Sequence, residues 1–194
     1  MRQATINRTT KETQITIELN LDGSGRQQIS TGLGFFNHML QQLAHHASLD
    51  LTININGDLH IDSHHTIEDC GLALGSAIKQ ALGDKLNINR FGYAYIPLDE
   101  SLTRCVIDLS GRPYTVFDCK FTVAKIGDTD SEMFREFFIA LANTLGCNLH
   151  IHNLYGINNH HIIESAFKAF AKALKQAISL SHSVAGVNST KGVL

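Results

Sequence analysis

Apolar and polar positions alternate early in the chain. Thr13, Ile15, Ile17, Leu19 and Leu21 share one face, and Gln14, Thr16, Glu18 and Asn20 share the other. That period of two is the mark of a half-buried strand. A turn at Asp22–Gly25 leads to a second strand at Arg26–Ser30. Phe36, Met39, Leu40 and Leu43 recur at helical spacing and predict a helix over Phe35–Ser48. Leu49–Asn56 alternates again and stops at Gly57, and Leu59–Ile61 reads as a short strand. Ser63 then predicts an N-cap for a helix from His64 to about Leu82. The second half gives strands at Phe91–Leu98, Thr103–Leu109 and Tyr114–Val123, a helix over Glu132–Leu145 and a strand at Cys147–Asn153. A helix from His160 to about Leu180, capped by Asn159, closes the pattern. Ser181–Leu194 is small and polar and predicts a mobile tail.

The second half repeats the first. His64-His65-Thr66-Ile67-Glu68 matches His160-His161-Ile162-Ile163-Glu164 at an offset of 96. Further along, Ala77-Ile78-Lys79-Gln80-Ala81-Leu82 matches Ala173-Leu174-Lys175-Gln176-Ala177-Ile178. Core-facing positions agree too, with Ile67, Cys70, Gly71, Leu74 and Ile78 over Ile163, Ala166, Phe167, Phe170 and Leu174. Upstream of these helices the offset becomes 98, which sets His38 over Glu136 and Leu51 over Leu149. Strands and helices interleave, but the hairpin-like strand pairs predict antiparallel or mixed sheets, hence an α+β fold. The chain is therefore expected to be one domain, residues 1–194. It divides into halves of about 1–90 and 91–180 plus the tail 181–194.

The repeated element carries chemistry. At about 100° per residue, His64 and Glu68 lie on one helix face a turn apart, while His65 points about a quarter turn away. One pair can grip one ion while the adjacent histidine reaches another, and imidazole with carboxylate suits divalent Mn, Fe, Co or Zn. The pseudo-symmetry predicts two metal sites, one from His38, His65, His160 and Glu164, the other from His64, Glu68, His161 and Glu136. The two halves of one chain, or neighbouring subunits, are both possible sources. His45, His46, His60, His150, His152 and His182 have no repeat partner and read as solvated or satisfied polar residues. Arg90, Arg112 and Lys191 are few and separated. They can converge on one phosphate through charge-assisted bonds, or serve as ordinary surface charge.

Composition narrows the classes. The 194 residues are 43% hydrophobic and 18% charged, with a net charge of −2, so no basic excess draws nucleic acid. No apolar run is long enough to span a bilayer, and Met1–Thr5 carries no apolar leader stretch. Cys70, Cys105, Cys119 and Cys147 are scattered, which predicts reduced thiols in a cytoplasmic protein.

Several stretches together resemble the imidazoleglycerol-phosphate dehydratase family of histidine biosynthesis. They are Arg8–Thr13, Gly34–Leu40, His64–Asp69, Pro97–Glu100, Ser110–Tyr114, Asn159–Glu164, Phe167–Phe170 and Ser189–Gly192. The resemblance implies tandem ferredoxin-like half-domains, of the kind seen in the second domain of ribosomal protein S5, with helices on one face of each sheet. It implies a homo-oligomer of 24 subunits built from trimers, with active sites between subunits and two Mn²⁺ ions per site. The implied reaction is a hydro-lyase step that removes water from D-erythro-imidazole-glycerol phosphate and gives imidazole-acetol phosphate.

Carried over by position, His38, His65, His160 and Glu164 look like one ion's ligands, and His64, Glu68 and His161 look like three ligands of the other. Many relatives have His where this chain has Glu136. Glu12, Arg90, Arg112, Ser189, Thr190 and Lys191 look like substrate contacts, and Glu12, His64 and Glu164 are expected to be catalytic. The proton to be removed is not acidic, so the expected route is an imidazolate held between two Lewis-acidic ions, with Glu12 as acid and base. A dinuclear phosphate-ester hydrolase and a non-enzymatic metal-storage protein remain as the rival classes.

Overall fold

The computed structural model describes residues 1–181 and 186–194. His182, read above as a bystander, lies outside them. The elements run β1 (Gln3–Thr9), β2 (Thr13–Asn20), β3 (Gln27–Ser30), α1 (Gly34–Ala47), β4 (Asp50–Gly57), α2 (His64–Leu82), β5 (Phe91–Leu98), β6 (Ser101–Asp108), β7 (Tyr114–Asp118), β8 (Lys125–Ile126), β9 (Thr129–Asp130), α3 (Met133–Leu145), β10 (Asn148–Tyr155) and α4 (Asn159–Ile178). The first half forms a sheet of order β1-β2-β4-β3 and the second a sheet of order β5-β6-β10-β7. In each, three strands are antiparallel, and the short strand β3 or β7 pairs parallel at one edge. This is a duplicated α+β half-domain with helices on one face of each sheet.

Strand periodicity decides which face is covered. In β2 the residues Ile15, Ile17 and Leu19 are buried, while the alternate positions reach solvent. Helix α2 lies over β1 and β2 and α4 over β5 and β6, while α1 packs on α4 and α3 on α2. The helices thus join the two halves, and Phe36, Phe134, Phe137, Phe138, Phe167 and Phe170 fill the seam, fully buried. The α2–α3 crossing is close because Gly75 has no side chain. A Cβ there would sit 2.3 Å from the Leu141 carbonyl oxygen and 2.2 Å from Thr144 Oγ1.

Several local readings need correction. β1 was missed because its buried side carries little more than Ala4. Leu59–Ile61 is a turn, closed by Ile61 N–H donating to the Asp58 carbonyl (2.8 Å), and not a strand. β7 ends at Asp118, and a small hairpin (β8–β9) occupies part of the remaining stretch before α3. Ser63 does not cap α2 with its side chain. Asp62 Oδ1 accepts from His64 N–H (2.8 Å), and Ser63 Oγ donates instead to Asp130 (3.0 Å). Asn158, one residue earlier than expected, caps α4 by accepting from His160 and His161 N–H.

Residues 186–189, from the segment expected as a mobile tail, lie against 87–90. Asn87 N–H donates to the Gly186 carbonyl (2.8 Å), and Asn188 Nδ2 donates to the Asn89 carbonyl (3.0 Å). No helix among the described residues is long and apolar enough to cross a membrane. Burial raises all four thiols well above their ordinary range, to about 12 for Cys119 and Cys147.

Candidate functional site

The packing of α1 on α4 brings His38, His160 and Glu164 together. One ligand atom from each lies within 4.8 Å of the others, the one such acidic or imidazole group of three among the described residues. Glu164 Oε2 faces both rings, 2.8 Å from His160 Nε2 and 3.2 Å from His38 Nε2. Its other oxygen, Oε1, pairs with Lys168 Nζ at 2.6 Å, one turn further along α4. Glu164 is only 8% exposed. Burial works to raise its pKa, but Lys168, His160 and His38 outweigh it and hold the carboxyl at about 2. Phe35 stands edge-on to His160 and His38 and walls the cluster on its apolar side. Two nitrogens and one carboxylate oxygen, already converging, form a donor set that fits a divalent transition ion.

The second repeat motif is looser. His64 Nε2 lies 3.4 Å from Glu68 Oε2, and both side chains are more than two-fifths exposed. No lysine stands four residues after Glu68, where Leu72 occupies the position. Glu136 does not complete a three-ligand group with this pair. Its Oε1 accepts from the neighbouring Arg135 at 2.9 Å.

His65 and His161, the adjacent histidines, point elsewhere, as the helical angle requires. His65 Nδ1 meets Asp58 Oδ2 at 2.9 Å, and its Nε2 lies 3.7 Å from Glu12 Oε1. His161 Nδ1 meets Glu100 Oε2 at 2.7 Å, and its Nε2 lies 3.7 Å from Asp99. The hydrogen bonds that the imidazoles donate to Asp58 and Glu100 raise the two imidazole pKa values above the ordinary one. Glu100 also accepts from Asn158 and Ile157 N–H, and these bonds with the His161 contact lower its carboxyl to about 2. A histidine tethered through Nδ1 to a carboxylate presents Nε2 as the ligand atom, with its basicity raised.

Of the cationic residues, Arg90 stands at the opposite end of α4. Arg90 N–H donates to the Ala177 carbonyl near the C-terminus of that helix. Its guanidinium is engaged by Asp108 (2.7 and 3.1 Å) and the Asn188 carbonyl (2.9 Å). Arg112 sits in the Ser110–Arg112 turn. Its backbone is held by Ser110 Oγ and Asn148, and its exposed guanidinium makes no bond to a described residue. Ser189 Oγ accepts from Lys191 N–H (3.2 Å), and Thr190 and Lys191 are exposed. Seventeen helical residues separate His160 from Ala177, roughly 25 Å at ~1.5 Å per residue. The backbone anchor of Arg90 and the His38–His160–Glu164 cluster are therefore far apart.

Sequence reasoning missed the supports: Asp58, Glu100 and Lys168. Lys168 was readable as the i+4 partner of Glu164. Glu100 lies 88 residues after Glu12, a register visible only once the hairpins β1–β2 and β5–β6 are superposed.

The model of the imidazoleglycerol-phosphate dehydratase family matches residues 31–174. The chain belongs to that family. Two of its relatives carry the same name. The protein from Lachnoclostridium phytofermentans is 53% identical over 193 residues, covering 100% of this chain and 98% of the relative. The one from Zymomonas mobilis is 54% identical over 194 residues, covering 100% and 99%. Among solved structures, imidazoleglycerol-phosphate dehydratase from Staphylococcus aureus superposes with a TM-score of 0.84 at 38% identity, over 92% of this chain and 99% of that one. The Pyrococcus furiosus enzyme, in complex with (S)-C348, gives 0.83 at 37% identity, over 97% and 100%. Membership of this hydro-lyase family assigns the chain to dehydration in histidine biosynthesis.

Proposed function

We propose that the chain removes water from D-erythro-imidazole-glycerol phosphate with the aid of two Mn²⁺ ions. On this reading it acts in the cytoplasm, in sites completed between subunits of a 24-subunit assembly of trimers. The observation that carries the reading is the split of the two histidine motifs. One chain gathers His38, His160 and Glu164, and separately His64 and Glu68. Its His65 and His161 are anchored away from these groups with Nε2 outward. A neighbouring subunit's His65 then completes the first set and its His161 the second, with Glu136 joining the second after release from Arg135.

The distance from the metal cluster to the Arg90 anchor supports the same division. A three-carbon phosphate with one ring does not stretch over roughly 25 Å, so on this reading the Arg90 that serves a given substrate comes from another chain. When bound, the ions supply Lewis acidity to the substrate's imidazole ring. The protein's part is positional and protonic. Arg112, Lys191, Ser189 and Thr190 hold the phosphate, with Arg90 braced by Asp108, so that the reacting carbon is held in one place. Glu12, half exposed beside His65, takes the proton from the side-chain carbon one removed from the ring and returns one to the hydroxyl that leaves the ring-attached carbon, so that the enol formed becomes the imidazole-acetol ketone. His64 and Glu164 flank the reacting ring from the helix ends.

Turnover of imidazole-glycerol phosphate tests the reading. A chelator should abolish it, Mn²⁺ should restore it, and a large assembly should elute on gel filtration. Full turnover without metal, release of inorganic phosphate instead of a ketone, or a lone 194-residue monomer with full activity would contradict it.

A further inference from the structure

The duplication sets up a comparison between two glutamates. Thr10 N–H donates to the Thr13 carbonyl across a two-residue turn, Lys11-Glu12, and Leu98 pairs with Ser101 across Asp99-Glu100. Glu12 and Glu100 are thus the same position in the two halves. The helices they face correspond as well, His65 with His161. Yet the two glutamates do different things. Glu100 holds His161 by Nδ1 at 2.7 Å, whereas Glu12 holds nothing that closely and stays half exposed.

The reason lies at the ends of β4 and β10, the strands that pair with β2 and β6. Gly57 and Gly156 also correspond. A Cβ on the first would meet Thr66 and Thr13, and on the second Ile162 and Ser101, which are those residues' repeat counterparts. The residue after each glycine therefore corresponds too: Asp58 in the first half, Ile157 in the second. Asp58 N–H donates to the Glu12 carbonyl (3.1 Å), and its largely buried carboxylate reaches His65 Nδ1 (2.9 Å). Ile157 has no such group, and its N–H donates to the Glu100 side chain (3.0 Å).

We infer that Asp58 is a positioning residue that takes over the tethering of His65, and so releases Glu12 from the task Glu100 performs on His161. The inference rests on the metal-dependent dehydratase reading above. Two consequences follow. His65 keeps Nε2 outward through Asp58 and not through Glu12. Glu12, beside that nitrogen with a free carboxylate, is available to move protons, and Glu100 is not.

The test uses the full-length assembled chain and four variants: Asp58→Ala, Asp58→Asn, Glu12→Gln and the double Asp58→Ala/Glu12→Gln. Mn²⁺ affinity is read by titration calorimetry, and kcat and KM with imidazole-glycerol phosphate. Asp58→Ala should weaken Mn²⁺ at one class of site by about 10- to 100-fold, the usual effect of losing such a support, and lower kcat with KM little changed. Asp58→Asn keeps an oxygen that accepts from Nδ1 and should recover most of the affinity, which a mere loss of fold would not allow. In the Asp58→Ala background the untethered ring turns to Glu12, so adding Glu12→Gln should cost little further kcat. Unchanged affinity in Asp58→Ala, an Asp58→Asn as weak as Asp58→Ala, or losses in kcat that multiply in the double variant would each overturn the inference. If the wild-type chain neither binds Mn²⁺ nor turns over, the functional reading fails and this inference with it. If wild type does both and Asp58→Ala equals it, the inference alone fails.

Discussion

Replacing Lys168 by methionine removes the ammonium that holds Glu164 Oε1 at 2.6 Å and keeps most of the apolar stem. In the metal-free protein, Glu164 has its pKa lowered from 4.5 to about 2. That depression is worth roughly 3 kcal/mol, at ~1.4 kcal/mol per tenfold change in proton affinity, and it is what Lys168, His160 and His38 together leave after offsetting the cost of burial. Because the folded pKa is depressed, the stabilisation is fully present above 4.5 and is lost as pH falls toward 2. Lys168 is the first of the three favourable partners, so Lys168→Met should lose on the order of 2 kcal/mol at pH 7. The cost stays below that of orphaning a fully buried charge, because the two imidazoles remain. The gap to wild type should narrow by roughly half near pH 3 and shrink to a small remainder at pH 2, where Glu164 is about half protonated in wild type and almost fully protonated in the variant. Urea unfolding at one protein concentration, with chelator and at a series of pH values, measures this. An equal gap at pH 7 and pH 3 would mean that Lys168 contributes packing and not charge.

Three further outcomes are expected. Arg112→Ala should raise KM for the phosphate substrate at least tenfold with bound Mn²⁺ unchanged, because its free guanidinium is held on a rigid turn; an unchanged KM refutes the clamp. Glu136→Ala should lower bound Mn²⁺, measured by elemental analysis, from two ions to about one per subunit, whereas Glu136→His should keep both. Two ions and full turnover in Glu136→Ala would show that this carboxylate belongs to Arg135 alone. Gly75→Ala places a Cβ against the Leu141 carbonyl and Thr144 and should cost about 1–3 kcal/mol by overpacking, read as a Tm lower by several degrees; an unchanged Tm would refute the close helix crossing.

The helices and the long alternating strands were legible because their burial follows one period. The core of α2 and α4 repeats residue for residue, so the duplication was readable as well. What escaped were features that depend on tertiary context. β1 hides because its buried face carries so few apolar side chains, and the β8–β9 hairpin hides because two-residue strands carry no period. At the start of α2 the side chain of Asp62 and not that of Ser63 accepts from the helix N–H, and the serine hydroxyl donates to Asp130, 67 residues away. At the site, the ligand types and their helical spacing were in the sequence. Their supports were not, since Asp58 and Glu100 reach their histidines from a loop and a hairpin turn whose register is set only by the folded sheets.

Consecutive histidines on a helix diverge by about 100°, so one helix end serves two different ion sites. Two identical halves would make identical sites, and the halves of this chain are not identical. Glu164 has Lys168 as a buried counter-ion, while its counterpart Glu68 has Leu72 in that place and is exposed. His161 has a glutamate tether, and His65 has an aspartate tether from a different element. On the functional reading proposed above, the two ions therefore sit in unlike fields, one with a carboxylate balanced by a lysine and one with a carboxylate that has no such lysine. Removal of a proton calls for a base and departure of a hydroxyl calls for an acid, on neighbouring carbons of the substrate's side chain. Two diverged halves surround those carbons with unlike groups, the free Glu12 on one side and the engaged Glu100 on the other, which two identical halves would not.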